Sequence, residues 1–210
     1  MFDLTGPIGG AALEAPTLIS FDAAFHGRAS HAGFAPQDGI HAIRAAALAI
    51  TRTNMGQVDP KTTVNIGLIS GGTGTNIVPA ECSIGGEVRS FDDARAVSLI
   101  KEIGEICQKA AEEVGATVTF ESKRRITAYH TPQDSPVAQR YAEACGTLGI
   151  PAAFCSTHGG SDNNCLVQHG LQGIVPAAAM NACHSCQEYS DADDLLRCSE
   201  VVLRLMTSKG

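Results

Sequence analysis

No long run of basic residues occurs in this 210-residue chain, and its 22 acidic side chains outnumber 15 lysines and arginines, for a formal net charge of −7. Nucleic acids and anionic membrane surfaces are held by clustered positive charge, so neither is an expected partner. Also missing is any apolar stretch of the roughly 20 residues that a bilayer-crossing helix requires. The opening residues, MFDLTGPIGG, have neither the basic start nor the apolar run of a secretory leader. A cytoplasmic protein is expected. Hydrophobic residues make up 44% and charged residues 18%, which suits a folded globular chain and not a disordered one. Its length suffices for one good core or two small ones.

A disulfide framework is not needed by a cytosolic chain of this length. The eight cysteines are scattered, and most are expected to be small buried hydrophobes in the reduced state. Cys183-His184-Ser185-Cys186 is the exception, since a Cys-x-x-Cys can form a redox pair or half of a zinc knuckle. A redox pair of the thioredoxin kind belongs between a strand and a helix near the start of a βαβ unit, and this one lies late in the chain. A four-thiolate zinc site needs a second close pair, and there is none. A redox protein is therefore the weakest of the functional readings.

Patterning divides the chain in three. Residues 1–13 are short and Gly-rich, a strand end running into a turn. From Thr17 to Gly27 the sequence alternates as a strand. Gly39 to Arg52 is an Ala-rich helical stretch with Pro36 and Asp38 marking its start. Strands follow at Thr62–Ser70 and Glu81–Ser90, then a helix from Asp92 and Asp93 through Val114 with Gly115 as its stop, then a strand at Thr117–Ile126. The order strand, helix, strand, strand, helix, strand predicts a ferredoxin-like unit over residues 14–131, with a four-stranded antiparallel sheet and two helices. Residues 132–210 read as a helix from Ser135, a strand at Ala152–Ser156, a short helix from Asp162 to Gln168, a strand at Gly173–Ala177 and a closing helix from Asp191 to Met206. That alternation is α/β. Two strands are too few to bury both long helices, so the segment reads as an incomplete α/β domain.

Candidate chemistry starts with His184 in a loop after a buried strand, and with Asp3. Imidazole nitrogen and carboxylate oxygen are both zinc donors. Alone, a loop histidine and an Asp ahead of a turn are ordinary surface residues. The ordered set of motifs changes their standing. Phe2-Asp3-Leu4-Thr5-Gly6-Pro7-Ile8-Gly9, Phe25-His26-Gly27-Arg28-Ala29-Ser30-His31-Ala32-Gly33, Gly71-Gly72-Thr73-Gly74-Thr75-Asn76-Ile77-Val78-Pro79, Gly86-Glu87-Val88-Arg89-Ser90 and Gly159-Gly160-Ser161-Asp162-Asn163-Asn164 follow one another along the chain. Together they resemble the peptidase T-like branch of the di-zinc aminoacylase and carboxypeptidase family.

The resemblance implies a ferredoxin-like lid, also used for dimerisation, set into an α/β catalytic domain with two zinc ions. It implies that Asp3 and His184 are metal ligands, one for each zinc. His31 would reach the partner subunit's site and stabilise the tetrahedral oxyanion. Asn76 and Arg89 would hold the substrate, with Arg89 suited to a terminal carboxylate. Gly159 and Gly160 would let the backbone approach the substrate closely. Zinc lowers the pKa of bound water towards about 7 and polarises the carbonyl, and the charge that develops needs donors aimed at it. The expected activity is hydrolysis of small peptides, with a homodimer formed through the lid. On the residues themselves, Arg89 can equally pair with Glu87 or Asp92, and Asp162 can serve as an N-cap. The family's early His-x-Asp, bridging Asp and Glu-Glu pair would all precede Asp3, where only Met1 and Phe2 stand. The expectation is therefore a truncated chain, inactive alone. The alternative is a non-catalytic dimerisation or interaction module.

Overall fold

The structure is a computed structural model describing residues 1–208. Its elements run β1 (Leu4–Thr5), β2 (Gly10–Ala15), β3 (Thr17–His26), β4 (Ser30–His31), α1 (Ala42–Arg52), β5 (Gly56–Asp59), β6 (Thr62–Gly71), β7 (Ile77–Val78), β8 (Glu81–Ser90), α2 (Asp93–Val114), β9 (Thr117–Ile126), β10 (Tyr129–His130), α3 (Pro136–Thr147), β11 (Ala153–Ser156), α4 (Asn163–Gln168), β12 (Val175–Met180) and α5 (Ala192–Thr207). The chain forms two compact units. One is Thr17–Ile126, and the other joins Met1–Pro16 to residues from Thr127 onwards. These divisions differ by a few residues from the expected 14 and 131. Ala15 pairs with Tyr129 and Glu14 with His130, which ties both flanks into the same sheet.

In the unit Thr17–Ile126, the strands are ordered β5-β6-β8-β3-β9 and each pairs antiparallel with its neighbours. Strand β3 alternates between buried and more open positions, so Ile19, Phe21, Ala23 and Phe25 all face the core. There they meet Ile84 and Val88 of β8, Ala42, Ala45, Ala46 and Ala49 of α1, and Leu99, Ile103 and Cys107 of α2. The alanine face of α1 lets backbone approach backbone closely. The sheet has five strands and not the expected four. The extra strand β5 sits at the edge as a hairpin with β6, and its polar GQVD sequence carries little strand signal.

The first helix starts at Ala42 and not at Gly39. Pro36–Asp38 is a separate 3-10 turn, and the N-cap is His41, whose ring accepts the Arg44 N–H. Residues 28 and 40 form a β-bridge instead of continuing the helix backwards. Helix α2 has the expected ends. Asp92 accepts the N–H groups of Ala94 and Arg95, and Gly115 closes the helix at φ 77°.

The other unit holds a mixed sheet ordered β1-β12-β2-β10, with β11 pairing to β2. Residues 132–210 therefore do not build a sheet of their own. The centre is β2, which pairs parallel with β11 and antiparallel with β10 and β12. The reading of residues 1–13 as a strand end and turn missed it. GAALEA is buried on both faces, so no period of two marks it, and alanine is a poor strand former. Around it pack Tyr141 and Cys145 of α3 and Val201 of α5. The last strand runs Val175–Met180 and not from Gly173, and Ser135 caps α3 with Pro136 at its first turn.

Candidate functional site

Two of the candidate residues meet in the unit Thr17–Ile126. The short ladder of β4 with β7 places His31 opposite Ile77 and Ser30 opposite Val78. The N–H of Ala32 donates to the Asn76 carbonyl at 2.9 Å, so the His31 and Asn76 segments are stitched side by side. The Nδ1 atom of His31 accepts the backbone N–H groups of Gly33 at 3.1 Å and Phe34 at 3.2 Å. The Phe34 ring lies against the imidazole, with centroids 4.3 Å apart.

Arg89 is not part of this cluster. It pairs with Leu18 of β3 and Thr63 of β6, at the end of the sheet where the chain enters at Thr17 and leaves at Ile126. The His31 and Asn76 loops follow His26 and precede Glu81, at the opposite end. From Glu81 to Arg89 is eight residues, about 27 Å at about 3.4 Å per residue. The Arg89 guanidinium donates to Glu87 at 2.7 Å. Of the two partners considered from sequence, Glu87 is one that it holds.

Asp3 and His184 lie in the other unit. Asp3 immediately precedes β1, and its N–H donates to Pro176 at 3.1 Å where β1 joins β12 in parallel. His184 sits four residues beyond Met180 in a loop closed by the paired Asn181 and Tyr189. Its N–H donates to the Glu188 carboxylate at 3.1 Å. Ala182 and His184 both adopt left-handed backbone, at φ 50° and 63°. That conformation costs an L-residue about 1–2 kcal/mol, so the turn is held open by its surroundings. Carboxylate and imidazole are suitable zinc donors. Yet among the described residues no three His, Cys, Asp or Glu side chains gather closely enough to hold a metal ion. The donors fit zinc by type but do not complete a centre. Cys183 and Cys186 are both free thiols.

Gly159 and Gly160 occupy the exposed loop between β11 and α4. A Cβ on Gly159 would meet only Thr157 Oγ1, at 3.5 Å, so nothing in the chain itself demands glycine there. Asp162 stands at the N-cap of α4 but makes no side-chain capping bond, because its own backbone is already helical. Asn164 instead ties the helix start to the preceding loop and to Thr127. Its Oδ1 accepts the Ser161 N–H at 3.0 Å, and its Nδ2 donates to Thr127 at 2.9 Å. Asn163 and Asn164 are each only 1% exposed. They were visible in the sequence as an Asn pair opening a helix, a polar pattern without an obvious solvent role.

The cysteines are less buried than expected. Cys82, Cys107 and Cys145 are buried, whereas Cys155, Cys165 and Cys186 are exposed, because the second group lies on short strands, short helices and loops with one open side. Burial pushes the Cys107 thiol up to about 11 and raises those of Cys82 and Cys145 as well.

Residues 13–115 match the peptidase dimerisation domain family. An aminopeptidase PepT from Bacillus cereus superposes with a TM-score of 0.90 at 29% identity, over 97% of this chain and 55% of its own. The chain is similar to peptidase T over nearly its whole length. A tripeptidase from Staphylococcus aureus superposes with a TM-score of 0.93 at 28% identity, over 97% of this chain and 54% of the tripeptidase. The uncharacterised YqjE protein of Bacillus subtilis is 29% identical over 204 residues, which are 97% of this chain and 55% of YqjE. The chain thus spans about half the length of these relatives. Among the described residues no helix is long and apolar enough to cross a membrane.

Proposed function

We propose that these 210 residues are the dimerisation lid and the C-terminal catalytic-domain segment of a peptidase acting on small peptides. The carrying observation is the superposition of 97% of the chain on half of a tripeptidase. Asp3 and His184 are assigned as one zinc donor each of a two-metal centre. The further donors and the general base that such a centre needs are not gathered among the described residues.

The lid residues divide by position. His31 and Asn76 share one end of the sheet and Arg89 the other. A histidine about 27 Å along the strand from the chain crossings suits delivery to a second copy's site. His31 is a donor to the oxygen that gains charge as the peptide carbonyl is attacked. Arg89 can exchange Glu87 for a substrate carboxylate, with bidentate geometry.

The test is zinc content of dialysed protein by mass spectrometry of the metal, paired with a tripeptide hydrolysis assay. Less than one tightly bound zinc per chain and no turnover are expected. Two zinc equivalents with metal-dependent turnover would overturn that expectation.

A second reading, a non-catalytic interaction module, draws on α5. Leu195, Leu196, Leu203 and Met206 of that helix are all exposed, as are Leu166 and Leu171. An apolar surface of this kind invites association. Association that survives loss of the lid's self-pairing would favour this reading.

A further inference from the structure

We infer that the loop after His31 fixes its imidazole as the Nε2–H tautomer, and that Phe34 is the positioning residue that keeps the ring in place. The inference deepens the proposed role of His31 as a donor and rests on that reading for its functional meaning.

A ring nitrogen that accepts an N–H must itself be bare. Nδ1 of His31 accepts two, from Gly33 and from Phe34. The neutral ring therefore carries its proton on Nε2, the remaining polar atom. No group among the described residues accepts that N–H, and His31 is exposed, so it is presented outward as a donor. The main chain is fixed independently. His31 pairs with Ile77, and its carbonyl accepts the N–H of Ala35 at 2.9 Å.

Two hydrogen bonds to one nitrogen define the plane poorly, because the ring can rock about them. Phe34 supplies the missing restraint. Its ring lies 4.3 Å from the imidazole, tilted by 31°. The side chain is 86% exposed, so burial in the lid core does not explain its placement. A large apolar group left in water and stacked on one exposed histidine has its effect on that histidine. The same short loop thus supplies tautomer and orientation together, which is the pre-organisation a donor to a developing oxyanion requires.

The experiment is a long-range 1H–15N correlation spectrum of the imidazoles in the uniformly labelled 210-residue chain, with His31 assigned by the signal lost in His31→Gln. The wild-type signal is expected to show a bare Nδ1 and a protonated Nε2. In Phe34→Ala the unrestrained ring should swing off the two backbone donors part of the time, so the pattern should move towards a tautomer average while the other six histidines keep their signals, showing that the fold is intact. Phe34→Tyr should restore it. A wild-type His31 protonated on Nδ1 or already averaged, or a Phe34→Ala spectrum like that of wild type, overturns the inference. The readout needs no turnover, so it stands or fails separately from the peptidase assignment.

Discussion

Gly86 is occupied on both sides. A Cβ there would lie 2.4 Å from the Asn65 carbonyl oxygen and 2.5 Å from the Phe21 ring. Neither neighbour can retreat, because one is sheet backbone and the other a fully buried ring. Gly86→Ala is expected to destabilise by about 1–3 kcal/mol, read from the urea midpoint. Asp92→Ala removes the cap of α2 and should cost about 1 kcal/mol in the same assay. The buried thiols give a pH dependence. Cys107 titrates at about 11 when folded, against a free thiol near about 8.5. The unfolded chain therefore loses its proton first. The stabilisation is complete below the unfolded value and is lost as pH rises to about 11. The urea midpoint should fall between those limits, and Cys107→Ala should flatten part of the fall. A thiol reagent should reach Cys165 and Cys186 in the native protein and Cys107 only after unfolding.

At the scale of elements, helix α5 is anchored by an arginine from α3. The Arg140 guanidinium donates to the Leu205 and Ser208 carbonyls and to the Ser208 hydroxyl, meeting acceptors that the last helical turn leaves open. Arg140→Ala should fray α5 from its C-terminus, seen as faster amide exchange at residues 204–207 with little change at Val201. Such long amphipathic elements were legible in the sequence, as were the four long strands of the lid. The strand β2 was not, since burial on both faces erases alternation. Nor was β5, whose polar residues take their strand form from the hairpin with β6. The sequence named candidate residues but not which of them lie together. Joining His31 to Asn76 requires the β4–β7 ladder, only two residues long on each side, and detaching Arg89 from them requires the register of β8.

At the scale of the molecule, the two units have separate cores. Phe21, Phe25, Ile84 and Val88 anchor one, and Tyr141, Ile174 and Val201 anchor the other. Residues 17–126 are continuous in sequence and should fold by themselves with one cooperative transition. If that unit carries the self-pairing surface, light scattering on it should give twice the unit's own mass, and a strictly monomeric result would remove dimerisation through the lid.

The long strands also act mechanically. Chain crosses into the lid at Thr17 and out at Ile126, neighbours across β3 and β9, so both connections sit at one end of the sheet. The ten residues of β3 form a stiff arm of about 30 Å. A turn of about 10° at those two crossings would sweep the His31 tip through about 5 Å, more than the length of a hydrogen bond. Small changes at Pro16 or Thr127 are therefore geared up at the far end. A substitution there would be felt first at a histidine it never touches.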